Sequence, residues 1–373
     1  MSRLVLHIGT FKTGTTHLQV FMRRNQEQLA AHGVAYPAFT KDKNHIEFFV
    51  ASYGAVSEFH ERRGVHNDAD IHEYRKALVN QLRPLAKSPL QTTIVSSEYL
   101  TFVEAESDLE ALRTMLLSVY DQVDILMFLR RPDYLAGSVY GESVIAGMTL
   151  GPGSEYVDLH VQTFDGAALV SRWERVFGAD QVTALPYLES YKKSELAVVK
   201  LVLNELGIDF DSTQWNHVAS SVNPSSSELA IAYLRLLNPE TPKLMADGRS
   251  NQWQRRLLRN ELSARFPGPS AAVPQETMDE ILRRFPPSST AEFVQSRQRR
   301  EDAAWADWLA QEPAAARPAP VVTPEQLAAL KAELYEPAGP LVPGGRPKPK
   351  PAAAGISRRL YRKARRLRRI ARG

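Results

Sequence analysis

The sequence of 373 residues contains no cysteine. This absence excludes disulfide bonds, thiolate metal ligands and a cysteine nucleophile. No apolar run approaches the roughly 18 residues that a membrane-spanning helix needs. The first apolar stretch stops at Ile8 and follows a single charge, Arg3, so the N-terminus does not resemble a secretory signal peptide. We therefore expect a cytoplasmic protein.

Acidic residues are absent from residues 344–373, which hold twelve Lys or Arg. Residues 1–343 contain the remaining 34 of the 46 basic residues and all 42 acidic residues, so their net charge is −8. The formal charge of +4 is therefore the sum of an acidic body and a strongly basic tail. It does not indicate a basic surface over the whole protein.

Apolar, strand-like segments alternate with helical ones up to residue 206. The predicted strands are 4–8, 123–130 and 182–187. A further strand is predicted to begin within 92–100. The predicted helices are 15–31, 106–119, 133–147, 166–177 and 192–206. Strands that are apolar on both faces and separated by helices predict an α/β fold, with a parallel sheet covered on both sides. Residues 225–310 are expected to be mainly helical.

The segment HIGTFKTGTT, residues 7–16, joins the first predicted strand to the first predicted helix. Such a turn presents backbone N–H groups to an anion, and the helix dipole adds positive potential. Gly9 and Gly14 allow the backbone to approach an anion closely, and Lys12 supplies a full positive charge. Hydroxyl donors are expected from three threonines, Thr13, Thr15 and Thr16. The segment therefore predicts a phosphate-binding loop.

The position of the lysine separates this loop from that of nucleoside triphosphatases. Their motif G-x-x-x-x-G-K-[ST] has lysine after the second glycine, whereas Lys12 precedes Gly14. The order resembles K-[ST]-G-T-[TS] of sulfotransferases that use 3′-phosphoadenosine 5′-phosphosulfate (PAPS), bacterial members in particular. The resemblance implies a P-loop-type three-layer fold, with Lys12 also reaching the bridging oxygen of the donor. It implies these donor-binding residues: Gly9, Thr10, Phe11, Lys12, Thr13, Gly14, Thr15 and Thr16.

A second motif, FLRRPDYLAGSVY, follows the predicted strand 123–130. In the same family a strand leads into R-x-P, and a serine stands eight residues after the arginine. Arg130, Pro132 and Ser138 match this pattern, which implies that Arg130 and Ser138 bind the 3′-phosphate. The planar guanidinium suits a phosphate. The neighbouring Arg131 is an alternative ligand at this stage.

Glu98, in IVSSEYL, stands near the carboxyl end of the second predicted strand. Ligands of open parallel sheets bind beyond those ends. In the family a carboxylate or a histidine there acts as the base on the acceptor, so the resemblance implies Glu98. A purely structural carboxylate beside capping serines is the alternative. His45 is a rival base that could line the acceptor site, whereas His7 is expected to be buried and hydrogen-bonded.

The resemblance covers residues 1–310 and implies a sulfotransferase-like domain, with about 211–310 mostly helical. Residues 311–355 read as an Ala/Pro/Gly-rich linker with a short helix at 323–335. Residues 356–373 place their apolar side chains on one helical stripe between basic ones, at Ile356, Leu360, Ala364, Leu367 and Ala371. This tail predicts peripheral contact with an anionic membrane or another polyanion, and a solvated, disordered tail is the alternative.

The expected activity is transfer of a sulfuryl group from PAPS, the co-substrate, to an acceptor hydroxyl. The expected acceptor is a carbohydrate or a glycolipid, and a small alcohol, phenol or amine comes second. No metal is expected in this reaction. Two other classes stay open: a P-loop kinase or NTPase, and a non-catalytic nucleotide- or glycan-binding module of the same fold.

Overall fold

The computed structural model describes residues 1–40, 44–194, 196–211, 213–216, 226–241, 252–297 and 303–335. The chain forms two compact units. Unit 1 comprises Met1–Pro132, Val161–Val222 and Phe285–Glu312, and unit 2 comprises Asp133–His160, Asn223–Arg284 and Pro313–Gly373. The boundaries expected from composition, after residues 310 and 355, stay predictions. The predicted basic tail, 356–373, lies outside the described residues.

Unit 1 is built on a five-stranded sheet in which every pairing is parallel. Its strands are β1 Arg3–His7, β2 Val34–Ala35, β3 Thr92–Ser96, β4 Gln122–Arg130 and β5 Val182–Tyr187. The spatial order is β2-β3-β1-β4-β5. β1 therefore lies between β3 and β4, with Leu6 opposite Val95 on one side and Ile125 on the other. The predicted parallel sheet is confirmed.

The α-helices of the described residues are numbered in chain order: α1 Thr15–Arg24, α2 Gln26–Ala31, α3 Glu47–Ser52, α4 Glu58–Glu61, α5 Asp68–Ala86, α6 Glu106–Leu117, α7 Pro132–Ala146, α8 Ser154–Leu159, α9 Val161–Phe164, α10 Gly166–Phe177, α11 Ala197–Glu205, α12 Glu228–Leu237, α13 Gln252–Arg265, α14 Gln275–Arg284, α15 Pro287–Gln295, α16 Ala304–Ala310 and α17 Pro324–Tyr335. Short 3-10 helices lie at Glu98–Phe102, Ala179–Gln181, Glu189–Lys193 and Asn238–Glu240. Residues 225–310 are mainly helical where they are described, as predicted.

Alternating side chains cover both faces of the sheet. Leu4 and Leu6 of β1 join a buried cluster with α3, α5, α6, α10, α15 and α16. Val5, between them, joins a second cluster with α1, α2 and α11. Burial of each large apolar side chain stabilises this arrangement by about 1.5–3 kcal/mol. Unit 1 therefore has the expected three layers, with the sheet in the middle.

The predicted helix 15–31 is divided into α1 and α2 at Asn25. The buried Asn25 amide donates to the carbonyl of Phe21 at 2.9 Å, and its oxygen accepts from the N–H of Asn216 at 2.7 Å. The helical periodicity of the segment is local, whereas Asn216 comes from a distant part of the chain. Because the break depends on this tertiary contact, the local pattern alone predicted one continuous helix.

The boundaries of the other predicted helices agree better with the structure. α6, α7, α10 and α17 lie within two residues of their predicted bounds. The predicted helix 192–206 begins only at α11, because the chain after β5 first forms the 3-10 helix Glu189–Lys193. The helices α3 to α5 and the short strand β2 had not been predicted. None of the helices in the described ranges has both the length and the apolar character needed to cross a bilayer.

Unit 2 is held in part by a buried cation. The Arg255 side chain of α13, in a residue 3% exposed, donates to the carbonyl of Ile145 at 3.0 Å and to the Asn238 side chain at 2.8 Å. These contacts connect α13 with the ends of α7 and α12. They satisfy a guanidinium that would be costly to bury without partners.

Candidate active site

The pairing of β1 with β4 continues beyond the end of β1. The N–H groups of Ile8 and Thr10 donate to the carbonyls of Leu126 at 2.9 Å and Phe128 at 3.1 Å. In return the N–H of Phe128 donates to the carbonyl of Gly9 at 2.6 Å. These bonds fix the first residues of the glycine-rich loop against the edge of the sheet.

Internal hydrogen bonds close this loop. The carbonyl of Thr10 accepts from the hydroxyl of Thr13 at 2.6 Å and from that of Thr15 at 3.2 Å, and both threonines are buried. The sequence predicted that these hydroxyl groups donate to a bound anion. In this structure they donate to the carbonyl of Thr10 and so stabilise the conformation of the loop. Lys12 and Thr16 are exposed. Lys12 has a left-handed φ of 64°.

The loop ends at the positive end of α1. Gly14 caps this helix with a φ of 80°, and no acidic residue follows in its first turn. The first turn of a helix has N–H groups without acceptors inside the helix, and its dipole favours an anion there. Beside the loop, the ring of Phe11 lies 4.7 Å from that of Phe102 and 5.8 Å from that of Tyr99.

Glu98 lies directly against the start of the loop. The N–H of Ser97 donates to the carbonyl of His7 at 2.9 Å, so the pairing of β3 with β1 also continues past the strands. A Cβ atom at Gly9 would lie 3.1 Å from the Cβ of Glu98. The tertiary structure therefore brings together two predicted site segments that are almost ninety residues apart.

The carboxylate of Glu98 is held by a buried amide. Nε2 of Gln19, in α1 and only 2% exposed, donates to Oε2 of Glu98 at 2.8 Å. Burial raises the pKa of Glu98, and hydrogen bonds from its own backbone, Gln19 and Asn44 offset this only in part. A carboxylate with a raised pKa is a stronger base. Sequence reasoning missed Gln19, which no motif singled out.

The two histidines have structural contacts. Nδ1 of His45 accepts from the N–H of Ser96 at 2.8 Å, so Nε2 carries the proton and donates to the carbonyl of Pro37 at 2.8 Å. Burial lowers the pKa of His45 to about 4. His7 lies 2.8 Å from the hydroxyl of Ser96, and burial lowers its pKa to about 3. The prediction of a buried, hydrogen-bonded His7 is confirmed. The choice between Glu98 and His45 as the base stays a prediction.

The two adjacent arginines face different surroundings. Arg131, 5% exposed, donates from Nη1 to the carbonyls of Leu309 at 3.3 Å and Gln311 at 2.6 Å, at the end of α16. Arg130 instead donates from Nη1 to the carbonyl of Lys12 at 3.5 Å. The structure therefore places Arg130, rather than Arg131, beside the loop.

Arg130 forms a two-pronged ion pair with Glu189. Its Nε lies 2.5 Å from Oε1 of Glu189, and its Nη2 donates to Oε2 at 2.9 Å. Nζ of Lys192 lies 2.5 Å from the same Oε2. Although burial alone would raise the pKa of Glu189, the two cations lower it below its usual value. Sequence reasoning missed both residues, although they follow the end of a predicted strand, where ligands of parallel sheets bind.

The two contacts of Glu189 differ in strength. The side chain of Arg130 is 3% exposed and that of Glu189 19% exposed, and removal of one partner of a buried ion pair costs about 3–5 kcal/mol. The side chain of Lys192 is 52% exposed, and exposed pairs contribute about 0–1 kcal/mol. Burial lowers the pKa of Lys192, as do the charges of Arg130 and Lys12. We call Lys12, Arg130 and Lys192 the cation cluster.

The remaining predicted ligand, Ser138, lies in α7 and belongs to unit 2. Its part in binding stays a prediction. Within the described ranges, no three His, Asp or Glu side chains come together as metal ligands would.

Substitution of Gly9 tests the close approach of the loop to Glu98. Gly9 has φ 98°, and Gly33 has φ 75° with no atom within 4 Å of a Cβ. Gly33→Ala should lower the free energy of unfolding by about 1–2 kcal/mol through its backbone alone. Gly9→Ala should cost about 1–3 kcal/mol more, because the methyl group crowds Glu98. Urea unfolding measures both, and equal losses would contradict the close contact.

Comparisons with known proteins give distant similarities to solved structures. No family model matches the chain, and no curated protein does. The chain is similar to the crystal structure of a sulfotransferase from Alicyclobacillus acidocaldarius, with 16% identity, a TM-score of 0.38 and coverage of 81% of this chain and 98% of that one. It is also similar to the sulfotransferase domain of the Synechococcus PCC 7002 olefin synthase, with 16% identity, a TM-score of 0.32 and coverage of 72% and 95%. Both of these proteins are described as sulfotransferases.

Proposed function

We propose that this chain is a sulfotransferase that transfers the sulfuryl group of PAPS to an acceptor hydroxyl. One observation supports the proposal most: the lysine-first loop after β1 has Glu98 against one side and Arg130 against the other. An anion-binding loop, a carboxylate of raised pKa and a guanidinium thus meet at one edge of the sheet. A transfer reaction from an anionic donor to a hydroxyl can use these three groups, to hold the donor and to take the proton of the acceptor.

The loop would bind the donor and stabilise its leaving group. The start of α1 and the side chain of Lys12 together offer positive potential to the 5′-phosphosulfate. During transfer the sulfur–oxygen bond to the 5′-phosphate breaks, and negative charge grows on the phosphate oxygen. A fixed cation and fixed N–H groups aimed at that oxygen lower the barrier, because they need no reorganisation.

Glu98 would act on the acceptor. As the acceptor oxygen forms its bond to sulfur, its proton passes to the carboxylate of Glu98. The products are a sulfate ester, adenosine 3′,5′-bisphosphate and protonated Glu98. The hydrogen bond from Gln19 to Oε2 would orient the carboxylate while it takes this proton.

A carbohydrate or a glycolipid is the acceptor that we propose. Phe102 is 46% exposed although it is aromatic, and its ring contacts that of Phe11 in the loop. Phe11 directly precedes Lys12, and Phe102 ends the short 3-10 helix that begins at Glu98. An exposed aromatic ring there offers an apolar surface to the C–H face of a sugar.

Lys12→Ala should abolish most of the transfer. Loss of one such contact to the leaving group costs about 3 kcal/mol, roughly a hundredfold in rate. Since Lys12 is exposed, the melting temperature should not change. Transfer of labelled sulfate from PAPS to a panel of glycans, glycolipids and small alcohols measures the effect. Lys87→Ala, another exposed lysine, is the control, and parent-like transfer by Lys12→Ala would refute the assigned role of the loop.

Glu98→Gln keeps the shape and removes the basic oxygen. Turnover should fall by roughly 10²–10⁴, while the affinity for the donor changes little. In the parent, activity should rise with pH as Glu98 loses its proton, at a pH above the usual carboxyl range because burial raises its pKa. The variant should lack this rise, and Glu110→Gln should keep it. A collapse of donor binding in Glu98→Gln would instead show a structural role.

Arg130→Ala and Ser138→Ala should remove most of the preference for PAPS over adenosine 5′-phosphosulfate, which lacks the 3′-phosphate. Arg131→Met is the matched control, because Arg131 binds carbonyls at the end of α16. It should lower thermal stability and keep the preference. Rates with the two donors measure the effect. Equal use of both donors by the parent would contradict the assignment of Arg130 and Ser138.

A further inference from the structure

The cation cluster carries more charge than the proposed mechanism uses. Lys12 serves the 5′-phosphosulfate and Arg130 the 3′-phosphate, whereas Lys192 has no part in either step. Arg130 and Lys192 nevertheless contact the same carboxylate, that of Glu189, and Arg130 also donates to the carbonyl of Lys12. The three residues of the cation cluster therefore lie near one another. Glu189 is the carboxylate that bonds to two of them. Two cations, Arg130 and Lys192, therefore share the carboxylate of Glu189, an arrangement that suits a ligand which brings further negative charge.

The two partners of Glu189 are not equally free to move. Arg130 is held through two bonds, from Nε and Nη2, and its side chain is almost fully buried. Lys192 makes a single contact to Oε2, and half of its side chain is exposed. Release of Arg130 would leave a buried cation without its carboxylate, whereas release of Lys192 exposes an ammonium to water. Lys192 is therefore the cation that can turn to an incoming anion.

We propose that Lys192 is a further donor-binding residue, which leaves Glu189 and contacts the 3′-phosphate of the bound donor. Glu189 meanwhile keeps the guanidinium of Arg130 in position through Nε and Nη2. This inference rests on the proposed function, because it takes the 3′-phosphate as the anion near Arg130. In the unliganded protein Glu189 supplies the negative charge that the phosphate later brings.

Binding of adenosine 3′,5′-bisphosphate and of adenosine 5′-phosphate, measured by titration calorimetry, tests the inference. Lys192→Met should weaken binding of the bisphosphate by about tenfold to a hundredfold, the size of one charge-assisted hydrogen bond. It should leave binding of the monophosphate within about twofold, and Lys192→Arg should retain most of the affinity. The control is Lys76→Met, since Lys76 pairs with Glu73 at the same three-residue spacing and is 58% exposed. This control should bind both nucleotides as the parent does.

A double-mutant cycle separates direct contact from an effect through Glu189. In Glu189→Gln, Lys192 no longer has its carboxylate, so a phosphate contact predicts that Lys192→Met still weakens binding of the bisphosphate. If the loss disappears in that background, or if Lys192→Met alone binds as the parent does, the inference is wrong and the proposed function stands. If the parent itself binds both nucleotides equally, the donor assignment fails and this inference fails with it.

Discussion

The parallel pairing of β1 between β3 and β4 determines where the chemistry of this protein can occur. Hydrogen bonds continue past the strand ends, from Thr10 to Phe128 on one side and from Ser97 to His7 on the other. They fix three segments at one edge of the sheet: the glycine-rich loop, the turn that carries Glu98 and the end of β4. Without this pairing the glycine-rich loop, Glu98 and Arg130 would not lie side by side.

The burial of Arg130 explains why the candidate site contains the carboxylate of Glu189. A guanidinium that is withdrawn from water needs partners, and Glu189 meets this need with two bonds. Arg131, the next residue, meets the same need with backbone carbonyls near the end of α16. Successive side chains at a strand end point in opposite directions, so Arg130 faces the loop and Arg131 faces the end of α16. Lys192 adds a cation that water can still reach.

Burial acts differently on the two candidate bases. Both ring nitrogens of His45 are engaged by backbone groups, so its proton and its lone pair are already in use. Glu98 is held by the side chain of Gln19, and burial raises its pKa. Since α1 carries Gln19 and begins at the loop, one helix connects the proposed donor site with the proposed base. The contact thereby couples the position of the carboxylate to the position of the loop.

The sequence by itself determined the alternation of apolar strands and helices and the glycine-rich turn of residues 7–16 between the first strand and helix, because both depend on neighbours within one or two turns. It also predicted Glu98 and the Arg130 segment as site candidates from motif order. Only the tertiary structure decided the strand order, the break of the first helix at Asn25, the position of Arg130 beside the loop and the contacts of Glu189. Each of these depends on hydrogen bonds or ion pairs between residues distant in the chain, which no local pattern specifies.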